Sequence, residues 1–403
     1  MKTKKVSFKN QDGATLAAWL QFPADRHPHS FAIFAHCFTC GKDLTTIHTI
    51  ASALCEYGFA VLRFDFTGIG ESEGDFADTN FSSNVEDLIS AADFLEDEYD
   101  APKLLVGHSL GGSAALVAGG QISSIKAVAT IAAPHSPKHL KKMISSDLDR
   151  ITESGKATVS IAGREFTIKE QLINDVASIE STEAIRNLGA ALLVIHSPQD
   201  EVVNIDNATM IFKAAQQQKS YLSLDGADHL IKRQSDAVYV GRVIGAWATR
   251  YVEVPEPWEL KTEHTVVCEA DRDHYTTRVQ VGEHKLLGDE PEKYGGHDFG
   301  PSPYQYLSAA LGTCTAMTIR MYADRKEWPV EKIRVHLDHN KIHAEDCDDC
   351  ESEKGKIDEI TRIIEVEGEL DDTQRNRLLE IADMCPVHRT LHSEIKVRSE
   401  MKE

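Results

Sequence analysis

The sequence predicts an α/β chain: a mostly parallel sheet with helices on both faces and a lid inserted over it, followed by a smaller α+β domain. Three observations predict this. Over the first 250 residues short apolar runs alternate with helical patterns, which is how a sheet covered on two faces reads in sequence. From Pro134 to about Asn187 the alternation stops and charged helical stretches take over, and long insertions in compact domains are usually lids or binding loops. Around Val254-Pro255-Glu256-Pro257-Trp258 two prolines interrupt the pattern, and the style of the sequence changes after them. The expected domains are residues 1–255, with the lid at about 134–187, and residues 262–403.

The elements follow in order. Asn10-Gln11-Asp12-Gly13 turns a leading hairpin. Strands are expected at 14–22, 31–36, 59–65, 103–106, 126–132, 190–196 and 220–224, each a short apolar run. A helix is expected at 83–99, where Val85, Leu88, Ile89, Ala92 and Leu95 recur at helical spacing and Ser83 with Glu86 forms a capping box. Within the lid a small hairpin pairs 158–161 with 165–168 about Gly163. Beyond the prolines, strands at 263–268, 275–281, 332–338, 360–367 and 394–398 would form one mixed sheet with helices at 303–324 and 372–384. The chain shows no internal repeat.

Composition narrows the function. At 403 residues and 41% hydrophobic the chain is too apolar for disorder and too long for one ordinary core. A net charge of -21, acidic in both portions, excludes a surface built for nucleic acid or an anionic membrane. No run approaches a membrane span, and the start, Met1 to Phe8, lacks the apolar stretch of a signal peptide. A cytoplasmic protein is expected. Eight cysteines are too dilute for a disulfide scaffold, so each is a core thiol, a metal ligand or a reactive group.

Lys103-Leu104-Leu105-Val106-Gly107-His108-Ser109-Leu110-Gly111-Gly112 runs from a buried strand through Gly-x-Ser-x-Gly into a small-residue helix. A serine on a tight strand-to-helix turn needs small neighbours two positions away, because the backbone there is strained and closely packed. Its hydroxyl needs an imidazole to take the proton and a carboxylate to orient that imidazole. Asp200 follows the strand ending at His196, and His229 follows the strand ending at Leu224. Both therefore stand past the carboxyl ends of successive strands, where an open sheet gathers its site. Asp228 and Glu201 are the competing carboxylates. An oxyanion needs backbone donors, here Leu110 and, after the third strand, Phe38. On these residues the portion up to about Arg250 resembles an alpha/beta-hydrolase of the esterase, lipase and acylaminopeptidase kind. That resemblance implies the hydrolysis of a small-molecule ester without a cofactor; Cys37 stands where the family commonly has glycine in the oxyanion loop. Asp65 to Gly74, with its three glycines, reads as a structural turn rather than a dinucleotide site, because the third glycine falls one residue late.

Cys37-x-x-Cys40 and Cys347-x-x-Cys350 each have metal-ligand spacing but lie in different domains, so a shared zinc site is not expected. A site at Cys347 and Cys350 with His339 or His343 stays open beside a solvated acidic loop, as does a redox role for Cys37 with Cys40; no metal is assigned. Cys314 lies on a helical face with Leu307, Leu311 and Met317, and composition alone makes it a core thiol. Cys385 precedes Pro386 at a helix end. With Gly295-Gly296-x-x-x-Gly300-Pro301-Ser302-Pro303, these two cysteines make residues 262–403 resemble the osmotically inducible protein C (OsmC) and organic hydroperoxide resistance superfamily. The whole chain thus resembles a bifunctional alpha/beta-hydrolase and OsmC-type fusion. The resemblance implies a homodimer, a peroxide-attacking thiolate at Cys314, a resolving thiol at Cys385, and an arginine, Arg278 or Arg272, that acidifies the thiol. Where the family often has glutamate after the helix-opening proline, Pro303 is followed by Tyr304 and Gln305.

Three functions compete. The first is a serine carboxylesterase acting through Ser109, His229 and Asp200 on small to medium acyl esters. The second is a cysteine-based organic hydroperoxide reductase with an accessory hydrolase. In the third, the carboxyl-terminal part is only a module for binding and assembly.

Overall fold

The computed structural model describes residues 3–23, 28–37, 41–161, 164–253, 259–270, 275–296, 298–343 and 356–401. It divides into two units, Met1–Trp258 and Glu259–Glu403. The first unit begins with β1 (Thr3–Lys9), β2 (Thr15–Gln21), β3 (Ser30–Ala35), α1 (Thr45–Cys55), β4 (Phe59–Phe64) and α2 (Phe81–Glu98). There follow β5 (Leu104–His108), α3 (Leu110–Ala118) and β6 (Ala127–Ile131). The inserted segment holds α4 (His139–Met143), α5 (Leu148–Ser154), β7 (Lys156–Ile161), β8 (Arg164–Lys169), α6 (Glu170–Ser178) and α7 (Ser181–Arg186). The unit closes with β9 (Ala191–His196), α8 (Asp206–Ala214), β10 (Lys219–Ser223) and α9 (Gln234–Ala248).

Eight strands form one sheet in the order β1-β2-β4-β3-β5-β6-β9-β10. The β1–β2 and β2–β4 pairs are antiparallel, and every later pair is parallel. The central strands are buried along their whole length, as expected where helices cover both faces. On one face α1 and α9 pack through Ile47, Ile50, Leu54, Val240 and Ile244 against Phe34, Val61 and Val106. On the other, α2 and α3 pack through Leu88, Leu95 and Leu116 against Ile33, Leu62 and Leu105. β7 and β8 form the small hairpin of the insertion, whose tip at Gly163 lies outside the described residues.

The start of α2 corrects the expected capping box. The N-cap is Asn80, whose side chain accepts from the Ser83 N–H at 2.7 Å while the Ser83 hydroxyl accepts from the Asn80 N–H at 3.0 Å. Ser83 is thus the reciprocal partner inside the first turn rather than the cap, and Glu86 plays no part in it.

The second unit holds β11 (Val266–Ala270), β12 (Thr277–Val281), β13 (His284–Gly288), α10 (Pro303–Arg325), β14 (Val330–His343), β15 (Lys356–Gly368), α11 (Asp372–Asp383) and α12 (Pro386–Leu391). One expectation fails here: among the described residues there is no mixed sheet but two antiparallel ones, β11-β12-β13 and the long hairpin β14-β15. The expected strand at 394–398 is also absent. Ile395 and Val397 alternate as a strand would, but no described strand lies beside them and Val397 is 82% exposed. The core of this unit is small, with Ile319, Ala323, Val330, Leu378 and Ala382 at its centre.

Candidate active site

Ser109 stands between the last residue of β5 and the first of α3, with φ 54° and ψ -127°. A non-glycine residue there costs about 1–3 kcal/mol and persists only where its surroundings dictate it. Here they do: the Ser109 N–H donates to the Ile131 carbonyl at 2.8 Å, and its own carbonyl accepts from Gly112 at 2.8 Å. The flanking glycines are required by close approach. A Cβ on Gly107 would lie 2.4 Å from the Gly111 carbonyl oxygen, and one on Gly111 would lie 2.3 Å from that of His36.

His229, on the loop after β10, places Nε2 3.0 Å from Ser109 Oγ and Nδ1 2.8 Å from Asp200 Oδ2. Asp200, on the loop after β9, is held by its other oxygen, which accepts from the Val202 and Val203 N–H groups at 2.8 and 2.9 Å. Burial alone would favour the neutral carboxyl, but contacts from His196 and His229 and the Val203 N–H outweigh it and hold Asp200 well below the usual carboxylate range. The carboxylate is therefore charged at any working pH and fixes the proton of His229 on Nδ1, leaving Nε2 to accept from Ser109. Of the competing carboxylates, Asp228 accepts from the Lys232 N–H at 2.9 Å, and Glu201 is exposed.

Leu110, 7% exposed, opens α3 directly after the serine. Phe38, the other expected oxyanion donor, and Cys40 lie outside the described residues; Cys37 is buried past the end of β3. A few residues on, the fully buried Lys42 ammonium donates to Asp65 at 2.7 Å and Glu71 at 2.9 Å, and its own N–H donates to Asp65 at 2.7 Å. Burial works against that charge, but the two carboxylates carry its pKa above the ordinary value. Asp65 also accepts from the Glu71 N–H at 3.1 Å. The glycine turn packs against this cluster: a Cβ on Gly70 would lie 2.2 Å from the Asp65 carboxylate.

Sequence reasoning missed Lys42, His108 and His196. His108 Nε2 donates to the His229 carbonyl at 2.8 Å, and His196 Nε2 donates to the Val203 carbonyl at 2.8 Å. Their only sequence signal is position, one residue before Ser109 and four before Asp200.

In the second unit Cys314 and Cys385 are both free thiols. Cys385 is fully buried, and its Sγ accepts from the His388 N–H at 3.3 Å and from the Thr315 hydroxyl at 3.6 Å. Thr315, the residue after Cys314, in turn accepts from Arg362 at 3.0 Å, and Arg362 is paired with Asp383. Among the described residues, Arg362 thus reaches Cys385 indirectly, through the Thr315 hydroxyl. Arg278 faces Glu269 across the β11–β12 ladder and pairs with it at 3.2 Å on the surface, while Arg272 lies outside the described residues. Gln305 has a defined use: its side chain accepts from the Ser302 N–H at 2.8 Å and closes the capping box of α10. His339 pairs with Asp358 at 2.9 Å and stacks on Tyr304. Cys347, Cys350 and the His343 side chain lie outside the described residues, among which no group of three metal-binding side chains occurs.

Comparison with known proteins places both units. A family model described as serine aminopeptidase, S33 matches residues 33–152, and one described as OsmC-like protein matches residues 295–400. Among solved structures, the esterase domain of a Rhodothermus marinus protein is 47% identical, with a TM-score of 0.54, covering 62% of this chain and all of that one. An Escherichia coli protein described as an uncharacterized 31.7 kDa protein in the traX-finO intergenic region is 31% identical over 116 residues, which are 28% of this chain and 40% of that relative's length. The monoglyceride lipase of Mus musculus is 25% identical, covering 43% of this chain and 67% of the lipase. Among the described residues no helix is long and apolar enough to cross a membrane.

Proposed function

We propose that this chain, which belongs to the alpha/beta-hydrolases through its first unit and carries an OsmC-like second unit, is a serine carboxylesterase acting on small to medium acyl esters. The observation that carries this is the hydrogen-bonded series Ser109, His229, Asp200 on a strained strand-to-helix turn. Ser109 Oγ bonds to the acyl carbon while its proton passes to His229 Nε2. The carbonyl oxygen becomes an oxyanion, met by the Leu110 N–H and a second donor assigned to Phe38. His229 then gives the proton to the departing alkoxide and takes one from water, whose oxygen displaces Ser109 from the acyl group. Asp200 keeps its charge throughout and stabilises the imidazolium. No cofactor is needed. The esterase and lipase among the relatives support an ester as substrate, and the α4–α7 insertion is the segment that would select its acyl group.

For the second unit the reading is assembly, with thiol chemistry beside it. Leu307, Met317 and Met321 of α10 are 38%, 64% and 72% exposed, and exposed large apolar side chains suit a partner surface, which the OsmC likeness makes a second copy. In the thiol reaction Cys314 sulfur attacks the outer oxygen of an organic hydroperoxide, the O–O bond breaks and an alcohol leaves. Cys385 then displaces water from the sulfenic acid to form a disulfide, which an external dithiol reduces.

The test is labelling with a fluorophosphonate, followed by peptide mapping and by hydrolysis of p-nitrophenyl esters from acetate to laurate. Modification of Ser109 with fastest turnover on the shorter chains supports the reading. A label elsewhere, or none, refutes it. Hydroperoxide consumption with a dithiol, lost in Cys314→Ser while ester hydrolysis continues, tests the second unit separately.

A further inference from the structure

His108 is 3% exposed and takes no part in the proton transfers described above. It is the last residue of β5, so it is fixed to the central sheet and bonded directly to the nucleophile. Its Nε2 lies 2.8 Å from the carbonyl oxygen of His229, and the two rings stand 5.2 Å apart. A carbonyl only accepts, so Nε2 carries the proton and donates.

The rest of the loop bearing His229 is pinned on either side of that carbonyl. Gly226 N–H donates to Gln199 at 2.7 Å, the Lys232 N–H donates to Asp228 at 2.9 Å, and the Thr46 hydroxyl donates to the Leu230 carbonyl at 3.0 Å. The tie at His229 itself comes from His108. We propose that His108 is a positioning residue for ester hydrolysis: its Nε2–H holds the main chain of His229 in register with Ser109, while Asp200 holds the ring.

The inference rests on the serine esterase reading and adds to it. Burial, and next the neighbouring His229, push the His108 pKa down to about 4, so the ring stays neutral beside the base and leaves His229 free to take up its charge. A misplacement of about 1 Å in a catalytic pair costs as much as a hundredfold in rate, which is the scale on which one backbone tie matters.

The test compares full-length wild type with His108→Phe, His108→Asn and His108→Gln on p-nitrophenyl acetate, with melting temperature measured for each. Phe keeps the bulk and removes the donor; Asn withdraws the donor beyond reach; Gln restores an amide N–H near the original position. The expected result is a kcat lower by about ten- to a hundredfold in Phe and Asn, with KM within about threefold of wild type and Gln returning to within about threefold in kcat. Should the Phe variant fail to fold, Asn and Gln carry the comparison. Asn and Phe variants as fast as wild type, or a folded Gln variant as slow as Asn, would overturn the proposal while leaving the esterase reading intact. A wild-type chain inert toward the ester would overturn both.

Discussion

Asp200 and His229 stand on the loops that leave the neighbouring parallel strands β9 and β10, and their side chains meet at 2.8 Å. The meeting fixes which imidazole nitrogen carries the proton. Asp200→Asn presents an amide in place of an acceptor that must be charged, so the wrong tautomer is favoured. Its kcat on p-nitrophenyl acetate should fall by roughly 10³–10⁴ with little change in KM. A loss below about tenfold would mean that Asp200 does not orient the base.

The buried Lys42 gives a prediction about stability. Lys42→Met leaves the Asp65 carboxylate in the protein interior without its main counter-charge, which costs roughly 3–5 kcal/mol. Urea titration should show that loss, and the double variant Lys42→Met with Asp65→Leu should recover part of it. Equal midpoints for wild type and Lys42→Met would contradict the assignment.

His108 makes stability depend on pH. Its pKa is about 4 when folded and near 6.5 when unfolded, so between these values the unfolded chain binds more protons. Stability is therefore full above about pH 6.5 and falls as pH drops toward 4, by at most about 3 kcal/mol from this residue. Burial also lowers His36, which adds to the same trend. Urea midpoints at pH 7 and pH 5 should differ more in wild type than in His108→Gln, and equal differences would refute this.

Gly111→Ala tests the packing of the elbow. The new methyl would lie 2.3 Å from the His36 carbonyl oxygen, which is backbone and cannot swing aside. Strand β3 or the turn at Ser109 must then shift, and hydrolysis should fall by about tenfold or more together with the melting temperature. Unchanged activity and melting would show that the turn has room the geometry denies.

Much of the first unit was legible because its physics is local. The buried strands read as short apolar runs, and the elbow reads as two glycines around a serine. Asp200 and His229 were legible by their order and their place after successive strands. Lys42 was not, because nothing in Gly41-Lys42-Asp43 shows that Asp65 and Glu71 fold over it. His108 hid inside the motif that exposed its neighbour, since only the folded chain brings a carbonyl 121 residues away to its ring. In the second unit the pattern of Ile395 and Val397 is that of a strand, but a strand also needs a partner, and pairing is not a local property. Arg362 escaped for a similar reason: it reaches Cys385 only through Thr315 and the end of α11.

The proposed ester hydrolysis stands or falls with Ser109 as the nucleophile. Its most direct measurement is the kcat of Ser109→Ala beside wild type on p-nitrophenyl acetate, with melting temperatures compared to show that both are folded. The expected loss in the variant is roughly 10⁴ or more, down to what binding and oxyanion donors alone supply. Hydrolysis by folded Ser109→Ala at the wild-type rate would contradict it.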